Sequence, residues 1–510
     1  MERGSIIAVV MMRGRWRLAV AAYACLMVAW VVGNPPFAAP DEWAHYVRAL
    51  GLAQGAWVGE PTREYVDASL SGRQMEWVVQ ATRLVPVPAG LAPRGFDCNT
   101  FFPEKSAGCL RNAHAVPEAI QVTTPTGTYP PALYVLPGWA ALRGTSPVSA
   151  LLAGRAASAL VCLVLLAGLF AALWREERGA LSLVGPSLAL TPLAVALSAT
   201  LNTSGPEILS GMAFFAALLC LTRSESPPRW VWGFAAGAGA VLALSRSMGA
   251  VWVAAEVLLV LLWRGPRALL APARARPLAA GVMGVVLAVA IGLNRLWERL
   301  YGPRVHVGFE RFRPAWKQAR LWWLDWLREQ VGIFQYLDAP MPDWSYVAWA
   351  ALLVGLLVAA LWTGRGRDRV WLVLTLAGAL FAPVFLYIAV IRHNGWTVQG
   401  RHVLPLTAVL PLLAGEVLSG RGVDSARARA GALLAVGGVA VLQAVAWWAN
   451  AHRSAVGTLG PVWFWRAPEW SPPPGWWPWT VLVLAGAGLL LLSATSRAWR
   501  APPRPSTAHR

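Results

Sequence analysis

The sequence predicts an all-α, polytopic membrane protein with about twelve transmembrane helices. Of its 510 residues, 57% are hydrophobic and only 14% are charged, whereas about a quarter of the residues of a soluble protein are charged. Apolar runs close to the roughly 20 residues that cross a bilayer recur along the chain. These runs are continuous, which argues against an outer-membrane barrel, where apolar and polar residues alternate.

The predicted spans alternate with loops of very different length. The spans cover residues 17–33, 148–173, 181–200, 205–222, 230–245, 247–264, 277–294, 346–363, 370–391, 402–419, 430–449 and 477–494. The chain then divides into a cytoplasmic N-terminus with the first span (1–33), an external loop (34–147), a transmembrane bundle (148–294), a second external loop (295–345), C-terminal spans (346–496) and a cytoplasmic tail (497–510). The first external loop is the largest segment outside the predicted membrane.

Arginine is concentrated in every second loop, for example at Arg365, Arg367 and Arg369. Basic residues favour the cytoplasmic side of membrane proteins, so both termini are predicted to be cytoplasmic. The Arg-rich, Lys-poor composition indicates a GC-rich bacterial genome and hence a bacterial inner (plasma) membrane. The net charge of +19 is spread over these loops, which argues against a nucleic-acid partner. Prolines after the first span interrupt any A-x-A cleavage site, so we expect an uncleaved anchor.

The segment "NPPFAAPDEWAHYVRALG" (34–51) directly follows the first span. Pro40 suits the first turn of a helix, and acidic residues at that end face the positive pole of the helix dipole. Asp41, His45 and Arg48 are spaced i, i+4 and i+7, which places them on one helical face. Two interpretations remain: an amphipathic surface helix with an internal salt bridge, or a general base beside a histidine and a cation.

Cysteines and prolines mark two further features of the first external loop. Cys98 and Cys109 lie eleven residues apart in a compartment that permits disulfides, so a bridge is predicted, with two free thiols as the alternative. The other cysteines lie in spans and are interpreted as packing residues. "YPPALYVLPGWAAL" (129–142) is too short and too rich in proline to cross, so it is predicted to be juxtamembrane or re-entrant.

Several basic residues lie on the predicted external side, against the charge rule. "IRHNGWTVQGRHVLPL" (391–406) carries Arg392, Arg401 and His402, and a tight turn carries Arg246. A basic residue retained there usually has a partner, and the alternative is contact with outer lipid headgroups.

The second external loop and two spans hold the remaining candidates. "RPAWKQARLWWLDWLREQ" places Trp316, Trp323 and Trp326 on one face and predicts an interfacial helix that contacts membrane lipids. Arg155 and Glu256 lie inside spans, where charges are usually paired or functional. An Arg155–Glu256 ion pair is one interpretation.

Four motifs together resemble a bacterial membrane-protein family known as domain of unknown function 2142. "PDEWAHYVRALGLAQG" resembles its P-D-E-x-x-H-x-x-R-x-x-x-L-x-x-G signature, and "YPPALY" is similar to a Y-P-P motif before its second span. "GIFQYLDAPMPDWSY" (332–346) resembles its G-x-F-x-x-L-D-x-P-x-P-x-W segment. "QGRHVLPL" (399–406) resembles Q-G-R-Y-x-x-P-L. The motifs extend from residue 35 to residue 406.

That family in turn resembles the C-type glycosyltransferases, which take sugars from polyprenyl phosphates. The resemblance implies a glycosyltransferase-like fold, a polyprenyl-phosphate sugar donor and an envelope glycan, lipid or protein acceptor. It implies that Asp41 is the base with Glu42 beside it, and that Arg401 binds the donor phosphate. His45, Arg48, Arg246, Arg392 and His402 are further candidate substrate ligands. No cofactor is assigned, and a divalent cation stays open.

The sequence departs from the family pattern at two points, and the function has alternatives. His402 stands where a tyrosine is usual, and "NTSGPE" (202–207) lacks the expected Asn-Pro-Asp type acid unless Glu207 substitutes for it. A lipid-linked sugar flippase would show inverted repeats and broken helices, and no internal repeat is evident. A non-catalytic protein of envelope assembly would need neither the acidic pair nor the external cations.

Overall fold

The computed structural model describes residues 14–62, 70, 72–421 and 425–495. The predicted tail 497–510 lies outside these residues. The helices, numbered in chain order, are α1 (Trp16–Gly33), α2 (Glu42–Ala53), α3 (Gly72–Ala81), α4 (Val135–Ala141), α5 (Pro147–Leu173), α6 (Leu181–Ala189), α7 (Pro192–Ser198), α8 (Ser204–Leu221), α9 (Arg229–Ala243), α10 (Gly249–Arg264), α11 (Pro266–Ala275), α12 (Pro277–Tyr301), α13 (Phe312–Gly332), α14 (Asp343–Thr363), α15 (Gly366–Ala389), α16 (Leu404–Thr407), α17 (Val409–Arg421), α18 (Ala426–Val456) and α19 (Trp476–Ala494).

The strands are short and all pair antiparallel. They are β1 (Glu60–Pro61), β2 (Arg83–Val87), β3 (Ala92–Arg94), β4 (His114–Val116), β5 (Ile120–Thr124), β6 (Ile333–Phe334) and β7 (Ala339–Pro340). A three-stranded sheet has the order β1-β2-β5, and two further pairs are β3-β4 and β6-β7. Register places Val85 opposite Val122 in the larger sheet. The described residues are therefore mostly helical, as predicted, and five of the seven short strands lie in the segment 34–147.

Eight of the described helices are long and apolar enough to cross a membrane: α1, α5, α8, α12, α14, α15, α18 and α19. The predicted span 181–200 is instead a pair, α6 and α7, bent by 68°. The break precedes Pro192, because a proline disfavours helical conformation in the residue before it. The spans predicted at 230–245, 247–264 and 402–419 are helices of 15, 16 and at most 13 residues, shorter than the roughly 20 residues of a full span.

Helix α8 lies at the centre of the bundle. Its whole apolar window is buried in the protein, and it packs against α5 and α9. Close helix contacts use small residues, as is typical of membrane helices. A Cβ on Gly185 of α6 would lie 2.9 Å from Cα of Gly415 in α17, so these two helices touch along their backbones.

The segment 34–147, predicted as the first external loop, forms its own small core beside the bundle. Helix α2 packs on β2 and α4, and the core includes Phe37, Tyr46, Leu50 and Val85. A disulfide joins Cys98 to Cys109. The segment 129–142 forms a 3-10 turn and the short helix α4, which packs on α2 and α5. It does not span the bundle, in agreement with its predicted juxtamembrane or re-entrant character.

Helix α13 is the predicted interfacial helix. Ala319 and Trp326 are buried, while Leu321 and Leu324 are exposed. Trp323 donates its indole N–H to the carbonyl of Leu380 in α15 at 2.7 Å. Part of the predicted apolar face therefore packs on α15.

Candidate active site

Asp41 occupies the turn between α1 and α2, at the N-cap of α2. Its backbone is left-handed, with φ 58°, and its side chain makes no capping hydrogen bond. Only a few per cent of residues other than glycine adopt this conformation, and such strain persists where the surrounding structure enforces it. Its Oδ2 accepts a hydrogen bond from Arg401 at 2.5 Å. The strained turn thus directs the carboxylate towards an arginine more than 350 residues away in the chain.

The Asp41–Arg401 ion pair is buried on one side and open on the other. Arg401 is 5% exposed, whereas the side chain of Asp41 is 52% exposed. Burial raises the pKa of Asp41, but the charge and hydrogen bond of Arg401, together with the charge of Arg246, outweigh burial and lower it below its ordinary value. The carboxylate is therefore ionised at neutral pH and accessible, as a general base must be.

Arg246 reaches the same site from the turn between α9 and α10. It donates from Nε to the hydroxyl of Thr203 at 3.0 Å, and Nε lies 3.8 Å from Oε2 of Glu207. Its guanidinium lies 5.3 Å from the ring centre of Tyr129. Asn294 donates to its backbone carbonyl at 3.1 Å. The external cation predicted at this turn thus belongs to the site.

His45 closes the buried side of the site. Its Nδ1 lies 2.7 Å from the hydroxyl of Tyr134, and its ring contacts Tyr129 edge-on. Nε2 has no partner among the described residues. Burial first, and then the charge of Arg246, lower the pKa of His45 well below its ordinary value. His45 is therefore a neutral imidazole with one unused nitrogen.

Glu42 and Arg48 have structural partners elsewhere. Glu42 is fully buried and accepts from Arg155 at 2.6 and 2.8 Å, and from the backbone N–H of Leu201 at 3.0 Å. Arg155 therefore pairs with Glu42, and the interpretation that pairs it with Glu256 is wrong. Arg48 donates to the carbonyls of Ala56, Trp57 and Tyr129. Burial lowers the pKa of Arg48 to about 10.

The remaining candidates divide between the site and its surroundings. His402 follows Arg401 directly, and its Nδ1 accepts from the backbone N–H of Gln399 at 3.2 Å. Arg392 donates to the carbonyls of Ile388 and Glu310. The recorded partners of Arg392 thus belong to a neighbouring loop.

Comparison with known proteins places the chain in a family. A family model described as "Predicted membrane protein (DUF2142)" matches residues 25–410. The chain belongs to this family. No curated protein and no solved structure matches it. The matched range contains Asp41, Arg246 and Arg401, so the ion pair and the second arginine of this DUF2142 protein lie within the family region.

Sequence reasoning missed the role of several site residues in this DUF2142 protein. Tyr129 belongs to the quoted "YPPALY", and Asn202, Thr203 and Glu207 belong to "NTSGPE". Asn202 donates to the carbonyl of Pro40 at 2.7 Å and so supports the turn of Asp41. The sequence signal that could have placed these residues in the site was the occurrence of prolines and polar residues directly beside a predicted span. The site contains an ionised carboxylate, two cations and a neutral imidazole, which suits chemistry at a phosphate or sugar.

Proposed function

We propose that this protein transfers a sugar from a polyprenyl-phosphate donor to a hydroxyl of an envelope glycan, lipid or protein. The observation that carries the proposal is the half-exposed Asp41 paired with the buried Arg401 at the end of the first span. A polyprenyl chain lies in the bilayer while its sugar phosphate lies at the surface. Groups that act on it therefore have to stand where a helix emerges.

In the proposed step, the acceptor oxygen bonds to the anomeric carbon as the bond from that carbon to the phosphate oxygen breaks. Asp41 takes the acceptor proton, and polyprenyl phosphate leaves with the bonding electrons. Arg401 and Arg246 stabilise the charge that develops on the phosphate. Arg401 suits this role because its buried Nε has no partner among the described residues, so it can bind a phosphate oxygen.

A small apolar crevice of about 20 Å³ offers a contact surface for the lipid, and it is too small to be an entry path. It is lined by Trp30 of α1, Leu197 of α7 and Phe334 of β6, and it reaches Pro40, the residue before Asp41. Apolar side chains suit an isoprenoid chain. The proposal includes a site on the external face of a bacterial cell membrane, cytoplasmic termini, and twelve crossings in which α9, α10 and α16–α17 serve as short spans.

A lipid-linked sugar flippase is the second candidate, and the broken pair α6–α7 favours it. Broken helices near substrate are typical of transporters, and the residues after α7 contact the turn of Asp41. The half-exposed carboxylate of Asp41 favours transfer, because the transfer step needs a group that takes the proton of the acceptor hydroxyl.

The test supplies the purified protein, reconstituted in vesicles, with radiolabelled polyprenyl-phosphate sugars and envelope acceptors. Label in an acceptor supports the proposal. Movement of intact lipid between leaflets without transfer identifies a flippase. The absence of both activities is the outcome expected for a non-catalytic assembly protein.

Arg401→Gln provides the donor test, because an Arg–phosphate contact is bidentate and charge-assisted. We expect the apparent affinity for donor to fall by roughly tenfold to a hundredfold, from a lost charged hydrogen bond of about 1.5–3 kcal/mol. Arg143→Gln is the matched control, since Arg143 is an exposed arginine beside α4 that donates to the carbonyl of Trp139. Equal donor affinity in the two variants would remove Arg401 from the phosphate site.

A further inference from the structure

A second polar cluster lies between the loop that follows α12 and the turn that follows α15. The loop contributes His306 and Glu310, and the turn contributes His393. Nε2 of His306 lies 3.5 Å from Oε1 of Glu310, and Nε2 of His393 lies 3.9 Å from Oε2. Each residue offers one ligand atom, and the three atoms lie within 4.8 Å of one another.

We propose that His306, Glu310 and His393 form a binding site for a divalent cation of the zinc class. Two imidazoles and a carboxylate are a common zinc ligand set. Tetrahedral bonds of about 2.0–2.1 Å separate ligand atoms by roughly 3.4 Å, close to the 3.5 Å between Nε2 of His306 and Oε1 of Glu310. His306 and Glu310 are 63% and 64% exposed, so their side chains can rotate the remaining distance.

The backbone around the cluster is already fixed. The N–H of Gly308 donates to the carbonyl of Ala389 at 3.0 Å, and Arg392 donates to the carbonyl of Glu310. Nε2 of His393 lies 3.0 Å from the carbonyl of Gly308. When that nitrogen carries the proton, Nδ1 keeps a free lone pair, and a backbone carbonyl is a common partner of the second nitrogen of a metal-bound histidine.

A polar cavity of about 270 Å³ borders the cluster, and both imidazoles line it. Arg73, Trp77, Gln80 and Arg304 complete much of its wall. Three protein ligands leave a fourth position of a tetrahedral metal open. That position would take water or an anionic oxygen group, because two arginines and a single carboxylate, that of Glu76, border the same cavity.

The cluster is independent of the proposed sugar transfer. The contacts recorded for Asp41 and Arg401 do not involve these three residues. The spacing of His306 and Glu310 was a weak sequence signal, since the third ligand comes more than 80 residues later.

The test uses full-length protein in detergent, stripped with a chelator and then titrated with Zn²⁺. We expect one zinc per chain by elemental mass spectrometry, and a tetrahedral Co²⁺ absorption spectrum when cobalt replaces zinc. His306→Gln, His393→Gln and Glu310→Gln should each weaken zinc binding by at least roughly tenfold. His114→Gln should bind as the native chain does, because His114 is an exposed histidine whose recorded partner is the carbonyl of Asn112.

Thermal unfolding of the metal-free variants shows whether they keep the native fold. Unchanged unfolding with weakened zinc binding supports the site. Two results would overturn it: no stoichiometric zinc on the folded native protein, or native-like zinc affinity in all three variants. Neither result depends on sugar transfer, so failure here leaves the proposed transfer reaction intact.

Discussion

Two ion clusters of this protein use the same residue types in opposite ways. At the C-terminal end of α1, Asp41 pairs with Arg401 and keeps half of its side chain accessible. Beyond the far end of α5, Glu416 contacts Arg175, Arg223 and Arg264 at 2.6–3.2 Å and is fully buried at its carboxylate. Both oxygens of Glu416 accept guanidinium hydrogen bonds. The first cluster is open and the second is closed.

The difference teaches how to separate a binding site from a structural ion pair. In the closed cluster, three arginines from different segments meet one carboxylate, which joins α17 to the ends of α5, α8 and α10. Both clusters contain a guanidinium Nε without a partner among the described residues, at Arg401 in the open cluster and at Arg175 and Arg264 in the closed one. What separates the clusters is the carboxylate, which is 52% exposed at Asp41 and fully buried at Glu416. Unused polar atoms beside an accessible carboxylate can serve a ligand, whereas a saturated carboxylate cannot.

Among the variants that test this comparison, Asp41→Asn is expected to have the largest effect. Asparagine tolerates the left-handed backbone but removes the proton acceptor, so the transfer rate should fall by roughly two to four orders of magnitude. Thermal stability should fall only modestly: the change leaves the buried Arg401 without its counter-ion, but half of the Asp41 side chain is open to solvent, which weakens the pair. Initial rates and melting midpoints measure the two effects.

Glu416→Gln is the matched control for that prediction. It leaves three arginines around a neutral amide and should lower the melting midpoint while the rate per folded molecule stays near native. A normal rate in Asp41→Asn would contradict the assignment of the base.

Glu42→Gln tests whether burial of a carboxylate in its ion pair, and not its position at one end of the bundle, decides that it is structural. Glu42 neighbours Asp41 but is closed like Glu416, and its loss leaves Arg155 buried and unpaired. Breaking such a pair costs about 3–5 kcal/mol, so the unfolding midpoint should fall clearly. The rate per folded molecule should hold. Glu60→Gln, on an exposed strand residue, is the control, and a slow but stable Glu42→Gln would instead make Glu42 catalytic.

The sequence predicted much of this arrangement for physical reasons. Apolar runs and basic loops reflect the demands of the bilayer, so they could be read from the sequence. Eight long apolar helices and the family match confirm the helical membrane class. The motif resemblance is confirmed as family membership over residues 25–410. The break between α6 and α7 was missed, since the apolar pattern continues through Leu190 and only Pro192 marks it.

The orientation of adjacent carboxylates could not be predicted from spacing. The i, i+4, i+7 argument assumes that Asp41 is helical, but it is the left-handed N-cap. Its direction depends on Asn202 and Arg401, which are distant in sequence. Glu42 begins the helix and points to Arg155 in α5. Partners that meet only through tertiary packing leave no periodic signal.

The smallest expected effect concerns the support of Arg401 by Glu329 of α13. Oε2 of Glu329 accepts from the N–H of Gly400 at 2.6 Å. Burial raises the pKa of Glu329 from 4.5 to about 7. The folded protein therefore holds this proton more tightly than the unfolded chain does. The contribution of Glu329 to stability should be highest below about pH 4.5, decline as the pH rises to about 7, and then level off.

Glu329→Gln should remove that decline, because glutamine keeps an acceptor oxygen for Gly400 and carries no charge at any pH. The effect is at most about 3 kcal/mol, from about 1.4 kcal/mol per pKa unit, and melting midpoints across this pH window measure it. Glu118→Gln, at an exposed loop position, should keep the native pH profile. If Glu329→Gln kept the decline too, the pH dependence would belong to another group. The turn that carries Arg401 would then not depend on the ionisation of Glu329. Two results in Glu329→Gln would together support the proposed role: the decline of stability with pH disappears, and the affinity for the sugar donor below about pH 7 is unchanged. Glu329 then supports the Asp41–Arg401 cluster as a neutral hydrogen-bond acceptor and adds no charge to it.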